Sequence, residues 1–341
     1  MIRIAIDAMG GDRAPGEIVK GSVQALEELP ELEIILVGIE EKVRYELERL
    51  GKYPRDRVTL VDAREVIGAD EQPLLAVRKK KQASMNVAMG LVKDGQAMAI
   101  VTAGNTGAFV AGGLFIIGRL EGISRPALAP VIPTFNGDNF MLLDVGAYVD
   151  AKPENLLHYA IMGNIYVQKL MGKESPRVGL LNIGTEAAKG NELTKNTFNL
   201  LKKAPLNFIG NVEARDIMNG AGDVIVCDGF IGNIILKLLE GVAFGIFSSL
   251  KRELKQNVRS KVGGILLLPT LDHLKKQLDY TEYGGAPLLG VNGICIKSHG
   301  SSNAKTFKNA VVNQAFLFSK EKVNEKIKEE VREYSNGKSN I

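Results

Sequence analysis

The chain has 341 residues, 45% of them hydrophobic and 24% charged, and 43 Lys and Arg against 39 Asp and Glu leave a formal net charge of +4. This is enough apolar material for a substantial core in one large or two smaller lobes, which excludes a disordered or collagen-like chain. A small charge with both signs interleaved also excludes the basic footprint of a nucleic-acid binder.

In chain order, the runs IRIAI, EIILVG, RVTLVD, MAIVTA, NFMLLDVG, RVGLLNIG, NFIGNV, DVIVCDG and GICIKSHG read as buried parallel strands. Helical patterns separate many of them. Pro153 opens PENLLHYAIMGNIYVQKLMG, which sets Leu156, Ala160, Gly163, Val167 and Leu170 on one face, and ELTKNTFNLLKK is a second crossover. Such alternation predicts an α/β fold with a mainly parallel sheet covered on both faces. With no linker, repeat or low-complexity tract, residues 1–335 are expected to form a single two-lobed α/β domain. It ends in a charged helix on which Val323, Ile327, Val331 and Tyr334 make an apolar stripe and Lys326 pairs with Glu330. That helix is expected to be solvated, and residues 336–341 to be a disordered tail.

Cys227 and Cys295 lie in apolar runs without CxxC or His-rich surroundings, so neither a disulfide framework nor a metal site is expected. The first residues lack the apolar core and cleavage site of a signal peptide. The best uninterrupted apolar segment, GAFVAGGLFIIG, stops at Arg119, short of a membrane span. A cytoplasmic location is expected.

Ligands of open parallel sheets bind beyond the carboxyl ends of the strands, where each following helix begins with unpaired amides. Several loops here have that character: AMGGD, TAGNTGA, DVGA, NIGTEAAKGNE, CDGFIGN and SHGSSN, each joining glycine to Asp, Asn, Thr or Ser. In TAGNTGA, Gly104 and Gly107 permit a tight turn while Asn105 and Thr106 offer capping oxygens. In SHGSSN, Gly300, Ser301 and Ser302 precede a helix near Ala304, with Lys297 and His299 beside them, which suits a phosphate. Lys189 stands among the glycines of the loop that holds Gly184 and Thr185, and Asn233 closes CDGFIGN. For a single loop, the alternative is a capped turn without a ligand; for Lys189 it is a solvated lysine. Recurrence of the pattern favours one polar, glycine-lined cleft. Motifs for P-loop nucleotide hydrolysis, HExxH metal binding, the GxSxG nucleophile and the GxGxxG dinucleotide turn are absent.

Read together, IAIDAMGGD, AVRKKKQASM, TAGNTGA, LLDVGAYVDAKPE, GLLNIGTEAAKGNELTK, FIGNVEARD, DGFIGN, EYGGAPLLG and IKSHGSSN resemble the phosphate acyltransferase family of bacterial phospholipid synthesis, PlsX. The resemblance covers about residues 2–315. It implies transfer of a fatty acyl group from the thioester of acyl carrier protein to inorganic phosphate, giving acyl phosphate. It also implies the three-layer α/β/α sandwich of isocitrate and isopropylmalate dehydrogenases, a homodimer, and no metal or nucleotide cofactor. Such enzymes work at the cytoplasmic membrane face and pass acyl phosphate to a membrane acyltransferase. Arg13, Tyr148, Ile231 and Asn303 depart from the family pattern, so no role carries over to them.

Orthophosphate is already a nucleophile, so the site must position it, stabilise an oxyanion and receive a departing thiolate. The assignment that follows puts phosphate at Gly300, Ser301 and Ser302 with Lys297. Gly104, Thr106, Gly107, Gly184, Thr185 and Asn233 supply further binding groups, and Lys189, His299 and Asn105 act on the reacting atoms. Asp7, Asp12, Asp144 and Asp228 are expected to orient loops, because their charge would repel the dianion.

Two surface features suggest partners. RKKK at 78–81 offers charge to the acidic carrier protein, or is merely a solvated stretch. The segments IGNIILKLLEGVAFGIFSSLKREL and VRSKVGGILLLPTLDHLKKQL read as a helix pair for dimerisation, with residues 255–275 as a tip suited to anionic lipid. The rival readings are an oxidoreductase or decarboxylase of the dehydrogenase fold and a non-catalytic binding scaffold. The first lacks an acidic metal cluster.

Overall fold

The computed structural model describes residues 1–277 and 283–338. Its strands are β1 (Ile2–Asp7), β2 (Leu32–Gly38), β3 (Val58–Asp62), β4 (Ala99–Thr102), β5 (Ala127–Leu128) and β6 (Val131–Pro133). They continue with β7 (Asn139–Leu143), β8 (Val178–Asn182), β9 (Phe208–Glu213), β10 (Val224–Val226), β11 (Ala286–Leu289) and β12 (Ile294–Lys297). Among the described residues they form a seven-stranded sheet ordered β3-β2-β1-β4-β12-β11-β5 and a five-stranded sheet ordered β6-β7-β10-β8-β9. The fold is α/β, with two sheets rich in parallel pairs.

Each strand expected from an Ile/Val/Leu run is present. The short strands β5, β6 and β11 were not expected. Each pairs antiparallel with its neighbour, and a proline in or beside each obscures the apolar pattern that marks the longer strands.

Register explains where the loops go. β1 and β12 both run parallel to the central β4, with Ile6 and Ile296 each opposite Val101 and Lys297 opposite Thr102. Three adjacent strands therefore release their chains at one edge. In the second sheet β7, β10 and β8 are likewise parallel neighbours.

One buried cluster runs through both sheets, from Ile4, Ile6 and Val101 to Leu143, Leu180 and Val224. The helix Pro153–Met171 contributes Leu156, Tyr159 and Tyr166 to it. Gly163 lets that helix sit close on the second sheet, since a Cβ there would lie 2.7 Å from Val224 and 2.8 Å from Leu143.

The charged C-terminal helix corrects an expectation. It is docked, not solvated: Val323, Ile327 and Val331 are fully buried, and the helix packs on Pro153–Met171. Its outer face keeps Lys326 near Glu329 and Glu330, and Lys328 and Arg332 reach back to Glu121. The apolar stripe read from the sequence is thus a packing face, and the charges lie on the opposite side of the helix. Helical backbone continues to Lys338, three residues into the expected tail, and residues 339–341 lie outside the described ones.

A second correction concerns the longest apolar element. Gly229–Glu253, expected as one helix of a pair, is 25 residues long and apolar enough to cross a membrane, although Lys237 and Glu240 interrupt its apolar run. Its start is pinned to the fold, because a Cβ on Gly232 would meet the Asp144 carbonyl at 1.9 Å. A short turn leads to the helix Val258–Gln277, and Leu254 packs beside Gly264. Beyond its first turns this two-helix arm exposes Leu238, Phe244, Ile246, Val262, Ile265 and Leu266.

Candidate active site

A cleft of about 620 Å³ opens where loops of the two sheets face each other. Its polar end is built from the three loops that leave β1, β4 and β12, and includes Gly11, Asp12, Gly104, Asn105, Thr106, Gly107, His299 and Gly300. Its lining also includes the apolar side chains of Ile67, Leu128, Pro130, Val131, Val145 and Leu236.

A buried carboxylate holds the polar end together. Asp7 accepts hydrogen bonds from Ser84 Oγ and Thr102 Oγ1, each at 2.6 Å, and Thr102 Oγ1 accepts the Gly104 amide at 2.9 Å. Burial pushes the Asp7 carboxyl above its usual range, against those hydrogen bonds and the charge of Lys297. Gly10 fits only as glycine here, since a Cβ would lie 2.4 Å from Asp7 Oδ2 and 2.7 Å from the Gly104 nitrogen. The Asp12 amide donates to the Gly300 carbonyl at 2.9 Å and ties the first loop to the last.

Lys297 lies at the cleft floor, 8% exposed. Its Nζ donates to the Ser298 carbonyl at 2.5 Å, which leaves further ammonium hydrogens for a ligand. Burial pushes its pKa down to about 8, with Asp7 and Asp12 partly opposing the fall. The Ser301 amide donates to His299 Nδ1 at 3.2 Å, and Ser301 Oγ lies 2.8 Å from the same nitrogen, so the ring is held through Nδ1.

The opposite wall is fixed by Asp144, which accepts the amides of Leu128, Gly146, Ala147 and Tyr148. Burial raises its pKa to about 6 against these hydrogen bonds. Asp228 caps the arm helix through the amides of Phe230 and Ile231. Gly146, at φ +124°, lies against Asn233 of that helix, and Asn233, Leu236, Lys237 and Glu240 line the cleft from one helical face.

The arrangement is a crevice that brings helix-start amides and a buried ammonium together with apolar walls. The family model described as "Fatty acid synthesis protein" matches residues 2–326. The chain belongs to that family, the phosphate acyltransferases of the PlsX type, and is an acyltransferase. A phosphate acyltransferase of Clostridium tetani is 51% identical over 97% of this chain and 98% of its own. One from Moorella thermoacetica is 56% identical over 91% and 90%. Among solved structures, a phosphotransacetylase of Streptococcus pyogenes matches with a TM-score of 0.58 at 20% identity, covering 92% of this chain and 93% of that one. A branched-chain phosphotransacylase of Enterococcus faecalis matches with 0.55 at 15%, covering 95% and 99%. These two share the fold.

Within this acyltransferase, the expected residues divide. Gly104, Asn105, Thr106, Gly107, Asn233, Lys297, His299 and Gly300 do meet in the cleft. Thr106 and Gly107 begin the helix Thr106–Gly112, so their amides have no partner within it. Lys189, Gly184 and Thr185 are not among the lining residues. Their loop leaves β8, which lies beyond β10 and away from β7, so in one chain Lys189 stands exposed outside the cleft.

One side-chain role and one set of backbone amides also need correction. Asn105 is not a free donor: Oδ1 accepts the Ala108 amide, and Nδ2 donates to the carbonyls of Gly68 and Ala69. It positions the loop. The amides of Ser301 and Ser302 turn back to His299, Ser302 Oγ pairs with Ser298 Oγ, and the Ala304 amide is taken by Glu17. Of the expected amide cradle at 300–302, Gly300 is the member that lines the cleft.

Sequence reading missed Leu236, Lys237 and Glu240, although their spacing from Asn233 marks one helical face. It also missed the 66–69 loop, which carries no glycine-rich signal beyond Gly68.

Proposed function

We propose that this cleft takes inorganic phosphate at its glycine-rich loops and the fatty acyl thioester of an acyl carrier protein along its apolar walls. The observation that supports this reading is the pairing, in one crevice, of a buried ammonium and helix-start amides with walls of Leu128, Val131, Val145 and Leu236. A phosphate oxygen attacks the thioester carbonyl carbon, the C–O bond forms, the C–S bond breaks, and acyl phosphate leaves with the carrier thiol.

Lys297 holds the dianion, and its lowered pKa lets it yield a proton to the departing thiolate near neutral pH. Thr106 and Gly107 amides and His299 Nε2 serve the oxyanion. Because phosphate is itself the nucleophile, no metal or cofactor is required by this route.

The exposed apolar arm supports two further parts of the proposal. Two copies pair through its upper helical faces as a homodimer, and residues 255–275 rest on the cytoplasmic membrane, where a membrane acyltransferase consumes the product. Thiol release tests the reaction: free carrier thiol, titrated with an aromatic disulfide, appears in step with acyl phosphate when enzyme, carrier thioester and phosphate are mixed. Equal thiol release with and without phosphate refutes it.

A further inference from the structure

The helix Pro73–Lys79 presents Leu74 and Leu75, 41% and 47% exposed, followed by exposed Arg78, Lys79 and Lys81. Phe115, 58% exposed, lies beside them, with the Arg78 guanidinium 5.4 Å from its ring centroid. Lys80 is turned away: its Nζ is bound to Glu71 Oε1 at 2.7 Å and to the Val66 carbonyl at 2.8 Å. That ion pair neutralises Glu71, whose carboxylate also accepts the Gly68 amide. Three cations therefore flank an apolar centre, with Asp70 the exposed acid at its far end.

This surface adjoins the mouth of the cleft. Pro73 touches cleft-lining Gly107 so closely that a Cβ there would lie 2.5 Å from Pro73 Cγ, and Asn105 fastens the same region through Gly68 and Ala69.

We propose that Leu74, Leu75, Arg78, Lys79, Lys81 and Phe115 form the docking surface for the acidic, helical protein domain that carries the acyl thioester. This rests on the carrier-linked donor proposed above. A tethered thioester must enter beside the surface on which its carrier sits, and this one borders the cleft. Its chemistry is complementary to an acidic amphipathic helix: cations meet carboxylates and steer encounter, while the leucines and Phe115 supply the desolvated centre.

The test uses the full-length enzyme, a phosphopantetheinylated acyl carrier protein, its acylated form, and an acyl pantetheine thioester that lacks the protein. In the Arg78→Glu/Lys81→Glu variant, carrier binding weakens at least tenfold and KM for the acylated carrier rises in step. Turnover of acyl pantetheine stays at the wild-type value. Lys79→Arg/Lys81→Arg retains carrier binding, and added salt weakens wild-type binding more than that of the charge-reversed variant. Unchanged carrier binding overturns the proposal, as does an equal loss with both donors. So does a variant that loses phosphatidylglycerol vesicles while keeping the carrier. Should wild type form acyl phosphate from neither donor, the reaction proposed above fails, and the binding measurement still decides the docking surface.

Discussion

Thr102 Oγ1 donates to Asp7 Oδ2 at 2.6 Å and so joins the carboxyl ends of two adjacent parallel strands. The same oxygen accepts the Gly104 amide, which makes one hydroxyl the link between a buried carboxylate and the turn at the cleft. Thr102→Val removes the acceptor of the Gly104 amide and the donor to Asp7 Oδ2, leaving Asp7 only the partners of Oδ1, Ser84 and Met9. It is expected to cost about 2 kcal/mol in urea unfolding and to lower kcat/KM, while Thr102→Ser restores both. Equal stability of the valine variant and wild type would contradict this role.

Asp223 accepts Arg177 and Lys173. Burial alone would raise its carboxyl, but those hydrogen bonds win and hold it at about 2. A folded pKa below the ordinary 3.8 means the native state binds this proton less tightly than the unfolded chain. Its contribution is therefore complete above about pH 4 and is lost as pH falls toward 2. Asp223→Asn is expected to lose about 2 kcal/mol at pH 7, from a gap of nearly two pH units, and to flatten the acid side of the stability profile.

Lys189 stands outside the cleft of its own chain. Lys189→Ala is thus expected to keep turnover within about threefold of wild type, a barrier change under roughly 1 kcal/mol. A loss of a hundredfold in the folded variant would instead mean that a second chain brings this loop to the reacting atoms.

The arm predicts association and lipid contact separately. Phe244→Glu places a charge at a side chain that is 78% exposed in the single chain. It is expected to yield monomers in sedimentation velocity where wild type gives dimers. Leu267→Glu, near the tip, is expected to abolish flotation with anionic liposomes and leave the dimer intact. A monomeric wild type, or flotation equal to wild type in the Leu267 variant, contradicts the respective part.

Much of the fold was legible because parallel strands buried on both faces leave unmistakable apolar runs, and the helix from Pro153 announces itself by its first residue and its spacing. Short antiparallel strands such as Ala127–Leu128 have too few residues to show a pattern. The cleft loops were legible as glycine-polar turns after strands. What those turns do with their polar groups was not, because it depends on partners distant in sequence. Glu17 takes the Ala304 amide and Gly68 occupies the Asn105 side chain. Lys189 looked like Lys297 in its glycine surroundings. Strand order separates them: β12 sits beside β4 at the cleft, whereas β8 lies one strand beyond the wall.

The most direct measurement is phosphorus NMR of phosphate and acyl carrier thioester with wild type and with folded Lys297→Met, across pH 6.5 to 9. Capture of the dianion by the Lys297 ammonium predicts an acyl phosphate resonance for wild type, formed more slowly as pH rises through about 8 and the ammonium is lost. It also predicts a rate roughly 10² to 10³ lower in the methionine variant. The same rate from both proteins at every pH would contradict it.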